Sequence, residues 1–157
     1  MRLTLLRHAR AMERTEWQGD DADRPLTKDG IRQATRALKG MRGLIAAVEI
    51  WTSPWLRARQ TAELASGLWK LPLREMEWLA GEACPSADRA SRLQPRTDVV
   101  LVGHDPDLSE LARFLCGAQI TMKKGGLAIL EGQPRRGLMR LQLLISPKHA
   151  LALSNTA

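Results

Sequence analysis

Short apolar runs alternate along the chain with stretches whose apolar residues recur at helical spacing, the pattern of an α/β layer fold. Residues 3–6 read as a buried strand. Residues 28–41 follow Thr27, a candidate N-cap, and place Ile31, Ala34, Leu38 and Met41 on one face, with Gly40 and Gly43 as stops. Residues 45–51 predict a second strand. Ser53-Pro54 then offers a cap followed by proline at the first helical position, and Leu64, Ala65 and Leu68 mark the buried face of that helix. Residues 72–78 predict a third strand despite their mixed charge. Residues 80–96, with Gly81, Pro85 and Pro95, read as irregular chain with room for one short helix. Residues 98–102 are rich in valine and end at Gly103, the clearest strand in the sequence. Asp105-Pro106 repeats the cap-then-proline signal, with Leu108, Leu111 and Leu115 following at helical spacing. Residues 126–131 and 138–145 predict two late strands around a Gly/Pro/Arg turn, and residues from about 146 to 157 read as a peripheral tail.

In parallel α/β sheets, ligands bind outside the carboxyl ends of the strands. Three polar clusters fall at such ends: Arg7-His8 after the first strand, Ser53 to Arg57 after the second, and Gly103-His104 after the clearest one. The chain has only three histidines, so the placement of two of them at strand ends is a specific signal. A neutral imidazole attacks phosphorus and holds the phosphoryl group covalently, which splits one hard displacement into two easier ones. The equatorial oxygens then need fixed positive charge, and the planar fork of arginine supplies it with two hydrogen bonds to one phosphate. Arg7, Arg24 and Arg57 stand near the predicted strand ends, and helix amino termini in the same loops add anion affinity.

Composition narrows the class. With 157 residues, 44% hydrophobic and 26% charged, the chain suits a single domain over residues 1–157 and does not fit a disordered or low-complexity class. No apolar run approaches the roughly 20 residues that span a bilayer. The apolar core of the first residues is too short for a signal peptide, so a cytoplasmic location without membrane contact is expected. Cys84 and Cys116 lack metal-pair spacing and are expected to be free thiols. The net charge of +7 is concentrated: residues 112–157 carry seven basic side chains against Glu131 alone. Such asymmetry suits a solvated face, an acidic partner or nucleic acid. The five tryptophans all precede residue 112, so the basic third lacks stacking aromatics and nucleic-acid binding is not expected.

The residues themselves resemble a known family. Leu5-Leu6-Arg7-His8-Ala9 is similar to the Arg-His-Gly/Ala signature of the histidine phosphatase superfamily, also called phosphoglycerate mutase-like. Arg24-Pro25-Leu26-Thr27-Lys28-Asp29-Gly30 through Ala34 resembles its Pro-Leu-Thr-x-x-Gly-x-x-Gln-Ala segment. Ser53-Pro54-Trp55-Leu56-Arg57-Ala58-Arg59-Gln60-Thr61 resembles its Ser-x-x-x-Arg-Ala-x-Gln-Thr segment, and Val102-Gly103-His104 its late histidine motif. The blocks occur in the family's order over about residues 3–110. The short chain, Ala9, and the arginine before Pro-Leu-Thr are most similar to the bacterial phosphohistidine phosphatase branch.

The resemblance implies a three-layer α/β fold, a mostly parallel central sheet with helices on both faces. It implies His8 as the nucleophile, and Arg7, Arg57 and His104 around the phosphate. Arg24 would be the additional phosphate arginine, although Asp20, Asp21 and Asp23 compete as its ion-pair partners. The general acid has two candidates. Glu82 matches the family's acidic position after the third strand and is also readable as an ordinary loop carboxylate, whereas Asp105 is equally a helix cap. No metal and no organic cofactor are expected. The segment from Glu82 to residue 98 is too short for the substrate-enclosing insertions of mutases. The expected substrate is therefore phosphohistidine on a protein, such as a histidine-containing phosphotransfer protein of a signalling relay. The alternatives are a small phosphate ester, or phosphate binding without turnover.

Overall fold

Strand β1 (Arg2–Arg7) lies at the heart of the sheet because it is apolar on both faces: Leu3 and Leu5 point to one layer, Leu6 to the other, and all three are fully buried. The computed structural model describes residues 1–80 and 84–154. In it, β2 (Glu49–Thr52), β3 (Leu73–Glu75) and β4 (Val99–Gly103) join β1 in parallel, and β5 (Leu127–Gly132) and β6 (Met139–Ile145) add an antiparallel edge. The strand order is β3-β2-β4-β1-β5-β6.

The alternation along β1 and β4 divides the core in two. Leu6, Val100 and Val102 meet α1 (Lys28–Met41), α2 (Leu56–Trp69) and α5 (Pro147–Ser154), through Ala34, Leu38, Ala62, Ala65 and Ala150. Leu3, Leu5, Val99 and Leu101 meet α3 (Ser86–Ser91) and α4 (Asp107–Cys116), through Ala90, Leu108, Leu111 and Leu115. The expected mostly parallel sheet with helices on both faces is therefore present. Each fully buried leucine in these layers is worth about 1.5–3 kcal/mol over an exposed one.

Several local expectations need correction. The second strand begins at Glu49, not residue 45, because its pairing with β4 starts at Glu49↔Val99 and earlier residues have no ladder to join. The third strand shortens to Leu73–Glu75, an edge strand paired only with Ile50–Thr52, and a 3-10 turn at Glu77–Leu79 follows. Gly40 does not stop α1, which runs through it to Met41. Helix α2 starts at Leu56 with Trp55 at the cap; the Ser53 hydroxyl accepts from the Trp55 N–H at 3.2 Å just ahead of the helix and also meets His104, as described below. The predicted peripheral tail is a helix from Pro147: α5 packs on α1 and buries Ala150 completely.

One glycine ties the fold to the chemistry. Thr27 Oγ1 caps α1 by accepting from the Gly30 N–H at 2.9 Å. A Cβ on Gly30 would stand 2.0 Å from the Arg10 carbonyl oxygen, so only glycine lets the first turn of α1 lie against the loop that follows His8.

Candidate active site

The parallel register brings three loops to one place. Arg7 aligns with Gly103, and Thr52 with Val102, so the chain leaves β1, β2 and β4 side by side. The His8 N–H donates to the Gly103 carbonyl at 2.9 Å, and the Ser53 N–H to the Val102 carbonyl at 3.0 Å. Helices α2 and α4 begin just beyond these loops, adding the partial positive charge of their amino termini.

The two imidazoles lie with ring centroids 5.2 Å apart, both with only 6% of their surface exposed. His8 Nδ1 is 2.7 Å from the Ala9 carbonyl, which can only accept. That contact places the proton on Nδ1 and leaves the Nε2 lone pair available. The neighbouring peptide is held in turn, since the Ala9 N–H donates to Thr61 Oγ1 at 3.0 Å and that hydroxyl donates to the Arg57 carbonyl at 2.8 Å. Burial pushes the His8 pKa from 6.5 down to about 3; the charges of His104, Arg57 and Arg7 act in the same direction, while the Ala9 carbonyl opposes them. His104 is likewise pushed to about 3, first by burial and then by the charge of Arg57. Both rings are neutral at neutral pH.

His104 is oriented by Ser53, whose Oγ lies 2.9 Å from Nε2, and by the Trp55 ring at 5.0 Å. The same indole carries the Arg57 guanidinium 4.7 Å from its centroid. Arg7 donates to the Met122 carbonyl at 2.6 Å and stands 3.6 Å from Asp105 Oδ2. Asp105 Oδ1 accepts from the Ser109 N–H and hydroxyl at 3.3 and 2.8 Å, so this carboxylate caps α4 while its second oxygen faces Arg7.

The fold brings Arg7, His8, Arg57 and His104 together, and Arg24, also expected there, is joined to Arg57 through Asp21, noted earlier only as one possible ion-pair partner. Asp21 accepts from Arg24 Nε at 2.8 Å, from Arg57 at 3.1 Å and from Arg14 at 2.9 Å. Its backbone carbonyl takes a second bond from Arg57 at 2.6 Å. Burial opposes ionisation of Asp21, but the hydrogen bonds from Arg14 and Arg24 and the charge of Arg57 hold its carboxyl well below the usual range. The cluster therefore already holds one oxyanion, and its cations outnumber the two carboxylates that touch them. Asp20 and Asp23 make no such pair among the described residues. Ser53, Trp55 and Thr61 also enter the site; their side chains lie within motifs visible in the sequence, but only their contacts reveal what they do. Glu82 lies outside the described residues.

The family model for the histidine phosphatase superfamily (branch 1) matches residues 3–82. An uncharacterised protein of Picosynechococcus sp. is 34% identical over 96% of this chain and 99% of its own. Among solved structures, the protein histidine phosphatase SixA complexed with tungstate superposes with a TM-score of 0.81 at 22% identity, covering 95% of this chain and 99% of that one. A phosphoserine phosphatase of Entamoeba histolytica superposes with a TM-score of 0.67 at 20% identity, covering 94% and 98%. Two buried imidazoles stand among arginines at the carboxyl end of a mostly parallel sheet, an arrangement whose chemistry suits phosphoryl transfer. The chain belongs to the histidine phosphatase superfamily.

Proposed function

We propose that this protein is a phosphatase that hydrolyses phosphohistidine on a protein partner through a phosphorylated His8. The observation that carries the reading is the His8 contact to the Ala9 carbonyl, which presents an unprotonated Nε2 beside an arginine cluster. A module that only binds phosphate has no use for a nucleophile held in that tautomer.

In the first step His8 Nε2 gives its lone pair to phosphorus. The P–N bond of the substrate breaks, and the departing imidazole keeps the electron pair and takes up a proton. Arg7, Arg57 and Arg24 hold the equatorial oxygens, with His104 completing the pocket; most of the rate comes from this positioning and charge. In the second step water attacks the phosphoryl group on His8, releases phosphate and returns the imidazole. The imidazole of a phosphohistidine is itself a good leaving group from phosphorus, which relaxes the demand for the proton donor that an alkyl ester requires. Glu82 and Asp105 are the two candidates for that donor.

Two features support a protein substrate. The described chain between β3 and β4 holds only a 3-10 turn and the short helix α3, which leaves the site without an enclosing cap there. The superposition on SixA takes in nearly the whole of both chains. The small-ester reading is kept as a rival, because the superposed phosphoserine phosphatase shares the fold. The basic residues offer no continuous track for nucleic acid, since Lys123-Lys124 and Arg135-Arg136 flank opposite ends of β5.

The test is a panel of a phosphohistidine protein, sugar phosphates and p-nitrophenyl phosphate, each with alkaline quench of a labelled reaction. Acid-labile label on the wild-type chain and none on His8→Ala is the expected result, with the highest kcat/KM on the phosphohistidine protein. Label on the variant overturns His8 as nucleophile, and a sugar phosphate turned over best overturns the substrate. Comparison of Glu82→Gln with Asp105→Asn on a poor-leaving-group ester separates the two acids; full activity in both excludes both.

A further inference from the structure

Four of the seven basic side chains of the last third fall in two adjacent pairs. Arg135 and Arg136 sit in the turn after β5, away from the chemistry, whereas Lys123 and Lys124 precede β5 in a turn whose backbone meets that of His8. The turn over residues 123–126 closes with the Gly126 N–H donating to the Lys123 carbonyl at 2.7 Å. Gly125 at φ 75° supplies the left-handed conformation that the turn requires. The Gly125 N–H is shared between the carbonyls of Arg7 and His8, at 3.1 and 2.9 Å, and the preceding residue, Met122, accepts from the Arg7 guanidinium. The backbone of this turn is thus fastened directly to the peptides of Arg7 and His8. Its two lysines nevertheless project into solvent.

Arg10, two residues beyond the nucleophile, is exposed as well and shares a small cleft with Lys124. Among the described residues, none of Arg10, Lys123 and Lys124 has a carboxylate partner within ion-pair distance. The segment that reaches the site through Asp21 has the opposite character, with Glu13, Glu16, Asp20 and Asp23 exposed. The surroundings of the site are therefore polarised. A continuous polyanion such as a nucleic acid would gain at the lysines and lose at the acidic segment.

We infer that Lys123, Lys124 and Arg10 form a cationic docking lip that receives acidic residues flanking the phosphorylated side chain of a protein substrate. The inference rests on the protein-phosphohistidine reading above and adds what that protein must display. Among the described residues no side chain of the lip is bonded or ion-paired to the arginines that hold the phosphoryl group, so it acts on encounter and orientation and leaves the chemical step alone. A small aryl phosphate has no carboxylate to offer it.

The experiment uses the full chain and two histidine peptides phosphorylated with phosphoramidate, one flanked by glutamates and one by glutamines, with p-nitrophenyl phosphate as the third substrate. The wild-type protein should favour the acidic peptide by about tenfold in kcat/KM, and added salt should erase the preference. In Lys123→Glu/Lys124→Glu the preference should vanish or reverse while p-nitrophenyl phosphate turnover stays at the wild-type level, which also reports a folded site. The milder Lys123→Gln/Lys124→Gln should fall between. Equal turnover of both peptides by the wild-type protein overturns the lip and leaves the substrate reading intact, as does parallel loss on all three substrates in both variants. Turnover of p-nitrophenyl phosphate with neither peptide accepted overturns the substrate reading, and the lip with it.

Discussion

The body of the sheet and its carboxyl end are built from the same strands and obey opposite rules. Along β1 and β4, Leu3, Leu5, Leu6 and Val99 to Val102 are at most 1% exposed and pack into the two apolar layers. One residue past the ends of β1 and β4 the chain buries His8 and His104 almost as deeply, and the first turn of α2 does the same with Arg57. Among the described residues, Arg7 Nε, Arg57 Nε and His104 Nδ1 are buried without a hydrogen-bond partner, as are Thr4 Oγ1 and Trp51 Nε1 within the strands and Arg2 Nε at the start of β1. Such atoms cost stability, about 1–3 kcal/mol each when wholly unsatisfied. The apolar layers supply the margin that lets the strand ends hold charge and neutral imidazole out of water. Stability and chemistry are thus concentrated at different positions along the same strands.

That separation is testable, and the largest effect expected is on catalysis alone. His8→Ala should lower kcat by about a thousandfold or more, while the thermal midpoint moves by only a few degrees. A calorimetric scan beside a turnover assay decides it, and a collapse of the midpoint would show that the ring is structural. The converse change lies in the body: Leu5→Ala, at a fully buried position, should cost about 2–5 kcal/mol in urea unfolding and leave kcat/KM per folded molecule unchanged.

Within the carboxyl end, Asp21 ties the arginines together. Asp21→Ala should release Arg24 and Arg57 and reduce kcat about tenfold. Asp21→Asn, which keeps the shape and removes the charge, should instead tighten inhibition by tungstate several-fold, because the arginines lose their competing anion. Equal behaviour of the two variants would break the distinction between placing the arginines and neutralising them.

The smallest effect concerns pH. His8 and His104 have folded pKa values of about 3 against 6.5 for the free ring, so the folded state binds fewer protons than the unfolded state between those limits. Their contribution to stability is complete above pH 6.5 and is lost as the pH falls towards 3. The slope is at most about 1.4 kcal/mol per pH unit for each ring. Asp21, with a depressed folded pKa, adds a loss of the same sign only below its ordinary value of 3.8, so unfolding curves between pH 4 and 6.5 isolate the histidines. His8→Ala should flatten that decline; an unchanged slope would mean that other groups carry it.

Much of this was legible in the linear chain because it depends on local periodicity. The helix at Lys28–Met41, the strand at Val99–Gly103 and the loops carrying Arg7, His8, Arg57 and His104 follow from apolar spacing, caps and strand ends. The misreadings occurred where pairing across the sheet decides: the start of β2, the length of β3, and the helix in place of a tail after Ser146. Asp105 had two readings from sequence, and the structure shows one side chain capping α4 with one oxygen and facing Arg7 with the other.

What the sequence determined by itself is the α/β alternation and the residue types at each strand end, since both are set by neighbours a few positions away. Tertiary structure alone decided that Asp21, of three nearby aspartates, ties Arg14, Arg24 and Arg57 together, that Ser53 orients His104, and that Lys124 stands beside His8. The Ser53–His104 contact depends on the register of β2 against β4, the turn beside His8 on that of β1 against β5, and the Asp21–Arg57 pair on a contact across 36 positions, so their energy is set by residues far apart in the chain.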